Sequence, residues 1–140
     1  MRKPKIVVIG AGSASFGLTN LGAILRTSEL HGGTLCLCDL NARGLEQIEQ
    51  LARRINAEWG ANMQIEANCD RRKLLPGADF VIISVAIDRE KCWREDHAIS
   101  QKYGIIHYAE NGGPGGFFHA ARNLALLMPV LKDIEALAPQ

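Results

Sequence analysis

Long hydrophobic runs are missing from this 140-residue chain. The longest apolar stretches fall far short of the roughly 20 residues a membrane helix needs. The N-terminal one leads straight into a glycine turn, so no signal peptide is read there. A dominant charge is missing too: 16 Lys and Arg stand against 15 Asp and Glu, a net charge of +1. That balance gives no electrostatic case for nucleic acid or an anionic membrane. Cysteine is scarce, with four residues and no C-x-x-C pair. Cys36 and Cys38 alternate on one face of a predicted strand, and Cys69 and Cys92 are isolated, so neither a disulfide framework nor a tetrahedral metal site begins here. Buried reduced thiols are expected, in a reducing, cytoplasmic compartment. His31, His97 and His107 have no partners at metal-ligand spacing, and no metal is assigned to them.

What is present is an alternation of strand and helix patterns. With 47% hydrophobic residues the chain can bury the core of one domain spanning 1–140. Lys5 to Ile9 reads as a buried strand and Ser13 to Arg26 as a helix. A second strand runs from Thr34 to Asp39, and a second helix from an N-cap at Asn41 to about Trp59. The apolar stripe of that helix is Leu45, Ile48, Leu51, Ala52 and Ile55. Met63 to Ala67 is a short third strand. Phe80 to Val85, apolar on both faces, reads as a central parallel strand. The expectation is an α/β fold, a Rossmann-like doubly wound parallel sheet with ligands at the carboxyl ends of its strands.

Chemistry gathers on that edge. In Gly10-Ala11-Gly12-Ser13-Ala14-Ser15-Phe16, Gly10 permits a tight turn and Gly12 lets backbone approach a pyrophosphate. The helix that follows supplies N–H donors and positive dipole. The third fingerprint position is Ser15, small enough for close helix-to-strand packing. An acidic residue ends the second strand at Asp39, suited to accept ribose hydroxyls, which favours NAD over NADP because a carboxylate repels a 2′-phosphate. Arg43, four residues on, could serve a phosphate if Asp39 points away, but its ordinary reading is a solvated first-turn helix charge. Ser84, Val85 and Ala86 end the Phe80 strand on the same edge.

The segment from Ile87 to His97 is strongly charged and reads mostly as a solvated helix with i,i+4 pairs such as Glu90 with Arg94. Asp88 and Arg89 lie in the loop that opens it, where an arginine fork can meet a substrate carboxylate or phosphate. Tyr108 to His119 carries four glycines around Pro114 and runs directly into a helix, with Pro114 in its first turn and Asn111 or Gly113 near its cap. Exposed N–H groups and missing side chains let a cofactor or sugar come close to that backbone. Leu124, Leu127, Met128, Leu131, Ile134 and Leu137 form a helical stripe expected to pack in the core, kinked or restarted at Pro129. His119 and Arg122 could face the site, although a lone His on a helix reads more often as structural.

The glycine opening, the Gly77-Ala78-Asp79-Phe80-Val81-Ile82 strand, Lys102-Tyr103-Gly104-Ile105, and Glu110-Asn111-Gly112-Gly113-Pro114-Gly115-Gly116 with Ala121-Arg122-Asn123 together resemble the N-terminal part of glycoside hydrolase family 4. Within it, the Ile87-Asp88-Arg89-Glu90 loop and the Glu-Asn-Gly-Gly-Pro-Gly-Gly form look closest to α-galacturonidases and related α-glucosidases and α-galactosidases of non-phosphorylated sugars. The resemblance implies a redox route to glycoside cleavage. NAD⁺ takes hydride from C3 of the sugar, a tyrosine removes the acidified C2 proton, a divalent metal, typically Mn²⁺, stabilises the enolate, and the aglycone leaves by elimination. It implies cofactor contacts at Gly10, Gly12, Ser13, Ala14, Ser15, Phe16, Asp39, Ser84, Val85, Ala86 and Asn111, and sugar contacts at Asp88, Arg89, Glu110 and Asn111. The family's metal ligands and catalytic tyrosine are expected beyond Gln140. Tyr103 and Tyr108 do not replace that tyrosine, and Cys92 and His97 do not match the metal motif. The chain is therefore expected to be the N-terminal portion of a longer enzyme, inactive alone and prone to self-association as a homo-oligomer. Two alternatives stand beside it: an NAD-dependent 2-hydroxy-acid dehydrogenase, for which Gly112 to Gly116 is unexpected, and a non-catalytic nucleotide-binding module.

Overall fold

A computed structural model describes residues 3–13, 16–106 and 112–139, with Phe16 described by its backbone alone. Ala14, Ser15, Glu110 and Asn111, all expected at the site, lie outside the described residues. The chain divides into two compact units, one of residues 1–84 with 133–140, the other of residues 85–132.

The first unit is built on four parallel strands: β1 (Lys5–Ile9), β2 (Thr34–Cys38), β3 (Gln64–Ala67) and β4 (Phe80–Ile83). Their spatial order is β3-β2-β1-β4. The chain thus steps outward from β1 to β3 and returns to the far side of β1, as the doubly wound expectation requires. Alternation along the strands sends Ile6, Val8, Leu35, Leu37 and Ile65 into one core with Leu21, Ile24 and Leu25 of α1 (Phe16–Arg26) and Leu45, Ile48 and Ala52 of α2 (Ala42–Glu58). On the opposite face Val7 and Cys36 are fully buried, as is Leu75 beyond β3. Arg71 and Asp133 form an ion pair, with Arg71 Nε donating to Asp133 Oδ2 at 2.7 Å.

β4 differs from expectation. It pairs only with β1 and is an edge strand among the described residues, with Phe80 59% exposed. Its apolar character on both faces matches a strand made to be covered on both sides. The thiols also divide: Cys36 and Cys38 are buried, but Cys69 is exposed and Cys92 half-buried, because both lie outside the strands.

The second unit holds α3 (Arg89–Lys102) and most of α4 (Gly113–Leu137). α4 continues through Pro129 as one helix, so of the expected kink or restart the restart is not found. Pro129 and Ala125 are both exposed, so the carbonyl left without its N–H partner can turn to water. The stripe expected in the core is only partly there. Leu124, Met128 and Leu131 are about half exposed, at 54%, 49% and 45%, whereas Val130 is buried. Helical period identifies an apolar face, but only a neighbour packed on it makes that face core.

Candidate functional site: the glycine turn and the end of β2

The carboxyl ends of β1, β2 and β4 lie side by side, since Ile9 is in register with both Cys38 and Ile83. Gly10, Asp39 and Ser84 therefore leave the sheet together. The Ser84 N–H donates to the Ile9 carbonyl at 2.8 Å, carrying the β1–β4 pairing one step past the strand. This is the switch point of the sheet, where the chain's winding reverses, the place where ligands of such sheets bind.

Gly10 adopts φ +88°, a conformation that L side chains rarely enter, so the tight turn requires glycine there. The N–H groups of Gly10 and Ala11 both reach the Cys38 carbonyl, at 2.8 and 3.0 Å. The Gly12 N–H donates to Asp39 Oδ2 at 2.8 Å, and the Asn41 N–H donates to Asp39 Oδ1 at 2.8 Å. Asn41 in turn caps α2, its Oδ1 accepting from the Gly44 N–H at 3.1 Å, as its N-cap pattern predicts. Three hydrogen bonds in series thus bind the turn after β1 to the start of α2. A Cβ at Gly12 would lie 3.0 Å from Asp39 Oδ2 and 3.4 Å from the Gly44 carbonyl carbon. Glycine at 12 therefore also makes room for the carboxylate, beyond any approach of a ligand.

The close helix-to-turn contact falls on Gly17, a residue not singled out from the sequence. A Cβ there would meet the Ala11 carbonyl oxygen at 2.2 Å, far inside contact distance. Its N–H donates to the Ser13 carbonyl at 2.9 Å, an i→i−4 bond of helical type, and the Ser13 N–H donates to Gly10 O at 3.3 Å. Glycine in the first turn of a helix, where it costs helix propensity, was the available signal.

In the second unit, Val85 is half-buried and Ala86 exposed. Asp88 is the N-cap of α3 and adopts a left-handed backbone, φ 37° and ψ 47°, without a side-chain cap bond. Asp88 is exposed and lines an open cavity of about 740 Å³ together with Arg89, Glu90, Lys91, Arg94 and Glu95. Arg94 is held by Glu90, the i,i+4 pair expected from the sequence. Arg122 does not face solvent chemistry: it grips the buried Asp96 of α3 with both nitrogens, one at 3.2 Å. His119 shares the Asn123 amide, which lies 3.1 Å from its Nε2 and also donates to its carbonyl at 2.9 Å. Among the described residues no three His, Cys, Asp or Glu side chains gather as a metal site.

Residues 5–140 match the model of the family 4 glycosyl hydrolases. The chain belongs to that family. An alpha-glucosidase of Erwinia rhapontici is 41% identical over 137 residues, covering 96% of this chain and 30% of that enzyme. Two solved structures share the fold. A 6-phospho-alpha-glucosidase from gut microorganisms in complex with NAD and Mn²⁺ superposes with a TM-score of 0.84 at 20% identity, over 99% of this chain and 31% of the other. The 6-phospho-beta-glucosidase of Thermotoga maritima with NAD and glucose-6-phosphate gives 0.82 at 22% identity, over 96% and 32%. The family 4 chain described here thus spans about a third of the length of these relatives. Membership in family 4 disfavours the 2-hydroxy-acid dehydrogenase alternative.

Proposed function

We propose that this chain is the NAD-binding portion of a family 4 glycosyl hydrolase that cleaves non-phosphorylated α-glycosides, an α-galacturonide, α-glucoside or α-galactoside. The observation that carries the cofactor assignment is the Asp39 carboxylate at the end of β2, bonded to the glycine turn at the switch point. The described residues fit a dinucleotide: a positive-φ glycine, a turn where a Cβ at Gly12 would crowd Asp39, and a half-buried carboxylate with lone pairs left for ribose hydroxyls. Bound NAD⁺ supplies a hydride acceptor that is returned to its starting state at the end of each turnover. Gly10, Gly12 and Ser13 to Phe16 form its cradle, with Asp39 selecting the unphosphorylated ribose and Ser84, Val85, Ala86 and Asn111 completing the cofactor side. Asp88, Arg89, Glu110 and Asn111 are assigned to the sugar. The alpha-glucosidase relative at 41% identity supports the choice of branch.

Mn²⁺ is assigned to ligands outside these 140 residues. No helix among the described residues is long and apolar enough to cross a membrane, and buried thiols suit a cytoplasmic setting. The half-exposed leucines of α4 support a homo-oligomer.

Calorimetric titration with NAD⁺ tests the cofactor assignment. Binding in the micromolar to millimolar range by the unaltered chain, lost in Gly12→Val, supports it; a folded sample that takes up no NAD⁺ overturns it. Hydrolysis of α-glycosides is expected from the family-length enzyme with NAD⁺ and Mn²⁺, and not from residues 1–140 alone.

A further inference from the structure

A carboxylate that only selects a cofactor would stand free at the crevice. Asp39 does not. Both of its oxygens accept backbone N–H groups at 2.8 Å, one from Gly12 in the turn after β1 and one from Asn41 at the entrance to α2. The two donors lie on opposite sides of it in sequence, 27 residues before and 2 residues after. Gly12 and Gly44 are neighbours here: a Cβ on Gly44 would sit 3.7 Å from the Gly12 carbonyl oxygen, at ordinary contact distance. Among the described residues the Gly12 N–H bonds to Asp39 alone, and the neighbouring Gly10 and Ala11 N–H groups are already committed to the Cys38 carbonyl.

We propose that Asp39 is a positioning residue as well as a selector: its charge builds the glycine turn before any nucleotide arrives. One consequence concerns cofactor choice and rests on the nucleotide assignment made above. Neutralising the acid at the end of β2 is the direct way to admit a 2′-phosphorylated dinucleotide, and exposed Arg43 in the first turn of α2 is a cation at hand for that phosphate. In this chain the same change removes the acceptor that holds Gly12. The variant loses the turn together with the repulsion, and NADP⁺ gains nothing.

Asparagine makes the point chemically. Its amide presents one oxygen where the carboxylate presents two, so its NH₂ must face one of the two N–H donors and release it. Alanine releases both.

The test is amide hydrogen exchange by NMR on the ligand-free chain, comparing the unaltered protein with Asp39→Ala and Asp39→Asn, followed by titration of each with NAD⁺ and NADP⁺. Bonds from N–H groups to a carboxylate predict exchange about ten- to a hundredfold faster at both Gly12 and Asn41 in the alanine variant. In the asparagine variant one of the two amides is released, while the β2 amides of Leu35 and Leu37 stay protected. Both variants should bind either nucleotide at least about tenfold more weakly than the parent binds NAD⁺. Unchanged protection at Gly12 in both variants would overturn the positioning role. Binding of NADP⁺ by either variant as tightly as the parent binds NAD⁺ would reduce Asp39 to a selector. Faster exchange at Gly12 in a chain whose parent takes up no NAD⁺ would keep the positioning role and overturn the nucleotide assignment instead.

Discussion

Gly17 and Gly22 lie one and a half turns apart on α1, and adding the same methyl group to each should move stability in opposite directions. At Gly22 a Cβ meets nothing within 4 Å, and the residue has no positive φ. Replacing a mid-helix glycine by alanine there stabilises by roughly 0.5–1 kcal/mol, through helix propensity and a less flexible unfolded chain. At Gly17 the same methyl lands 2.2 Å from the Ala11 carbonyl oxygen, an atom of the backbone that cannot rotate aside. Either α1 or the turn must shift by about an ångström. Overpacking of this kind costs about 1–3 kcal/mol, and because the contact is to backbone the upper end applies; less the propensity gain, Gly17→Ala should destabilise by about 2 kcal/mol. Urea unfolding monitored by Trp59 in a Trp93→Phe background confines the readout to the first unit. Trp59 stacks with Arg26, the last residue of α1, at 5.0 Å, so its fluorescence follows the helix in question. The midpoint should fall for Gly17→Ala and rise for Gly22→Ala at unchanged slope. Two shifts of the same sign, or a neutral Gly17→Ala, would refute the claim that close packing against the turn requires glycine at 17.

Asn41→Ala removes the acceptor for the Gly44 N–H and should cost about 1 kcal/mol, read as a lower urea midpoint and faster exchange in the first turn of α2. Burial pushes the Cys36 thiol up to about 12 and the Cys38 thiol up to about 11. At pH 8 an aromatic disulfide reagent should therefore modify exposed Cys69 first and leave Cys36 and Cys38 untouched until the chain unfolds. The same shifts set a pH dependence. The unfolded thiols lose their protons near 8.5 while the folded ones keep theirs, so the unfolded state binds fewer protons and stability falls as pH rises from about 9 toward 12. Cys36→Ala with Cys38→Ala should flatten that decline in a series of melts; an equally steep loss would assign it to other groups.

The strands and the first two helices were legible because their residues alternate or recur with the period of the element, and Asn41 announced the start of α2 by its own chemistry. What escaped was set across the chain. The charges of α3 read as a solvated face, and most are. Asp96 is buried because Arg122, 26 residues later, closes on it, and no local period records such a pair. The left-handed backbone of Asp88 was equally hidden, since aspartate tolerates that region without requiring it. Small residues posed the converse difficulty. The contact of 2.2 Å that demands glycine at 17 is set by how α1 meets the turn, and its trace in the sequence was no more than a glycine in a first helical turn.

The same distinction governs the candidate site. A fingerprint read along the chain treats Gly12 and Asp39 as two independent ligands of one cofactor, joined only by the molecule they are expected to hold. In the folded protein they are partners of each other, and the missing side chain of one is the space filled by the carboxylate of the other. A glycine and an acid in such contact constrain one another's substitution: any side chain at 12 displaces the carboxylate, and a neutral residue at 39 frees the turn. Their effects on stability in the absence of nucleotide should therefore be non-additive, the double variant Gly12→Ala with Asp39→Ala costing less than the sum of the two single changes, because once the carboxylate is gone the new methyl group has nothing to strike.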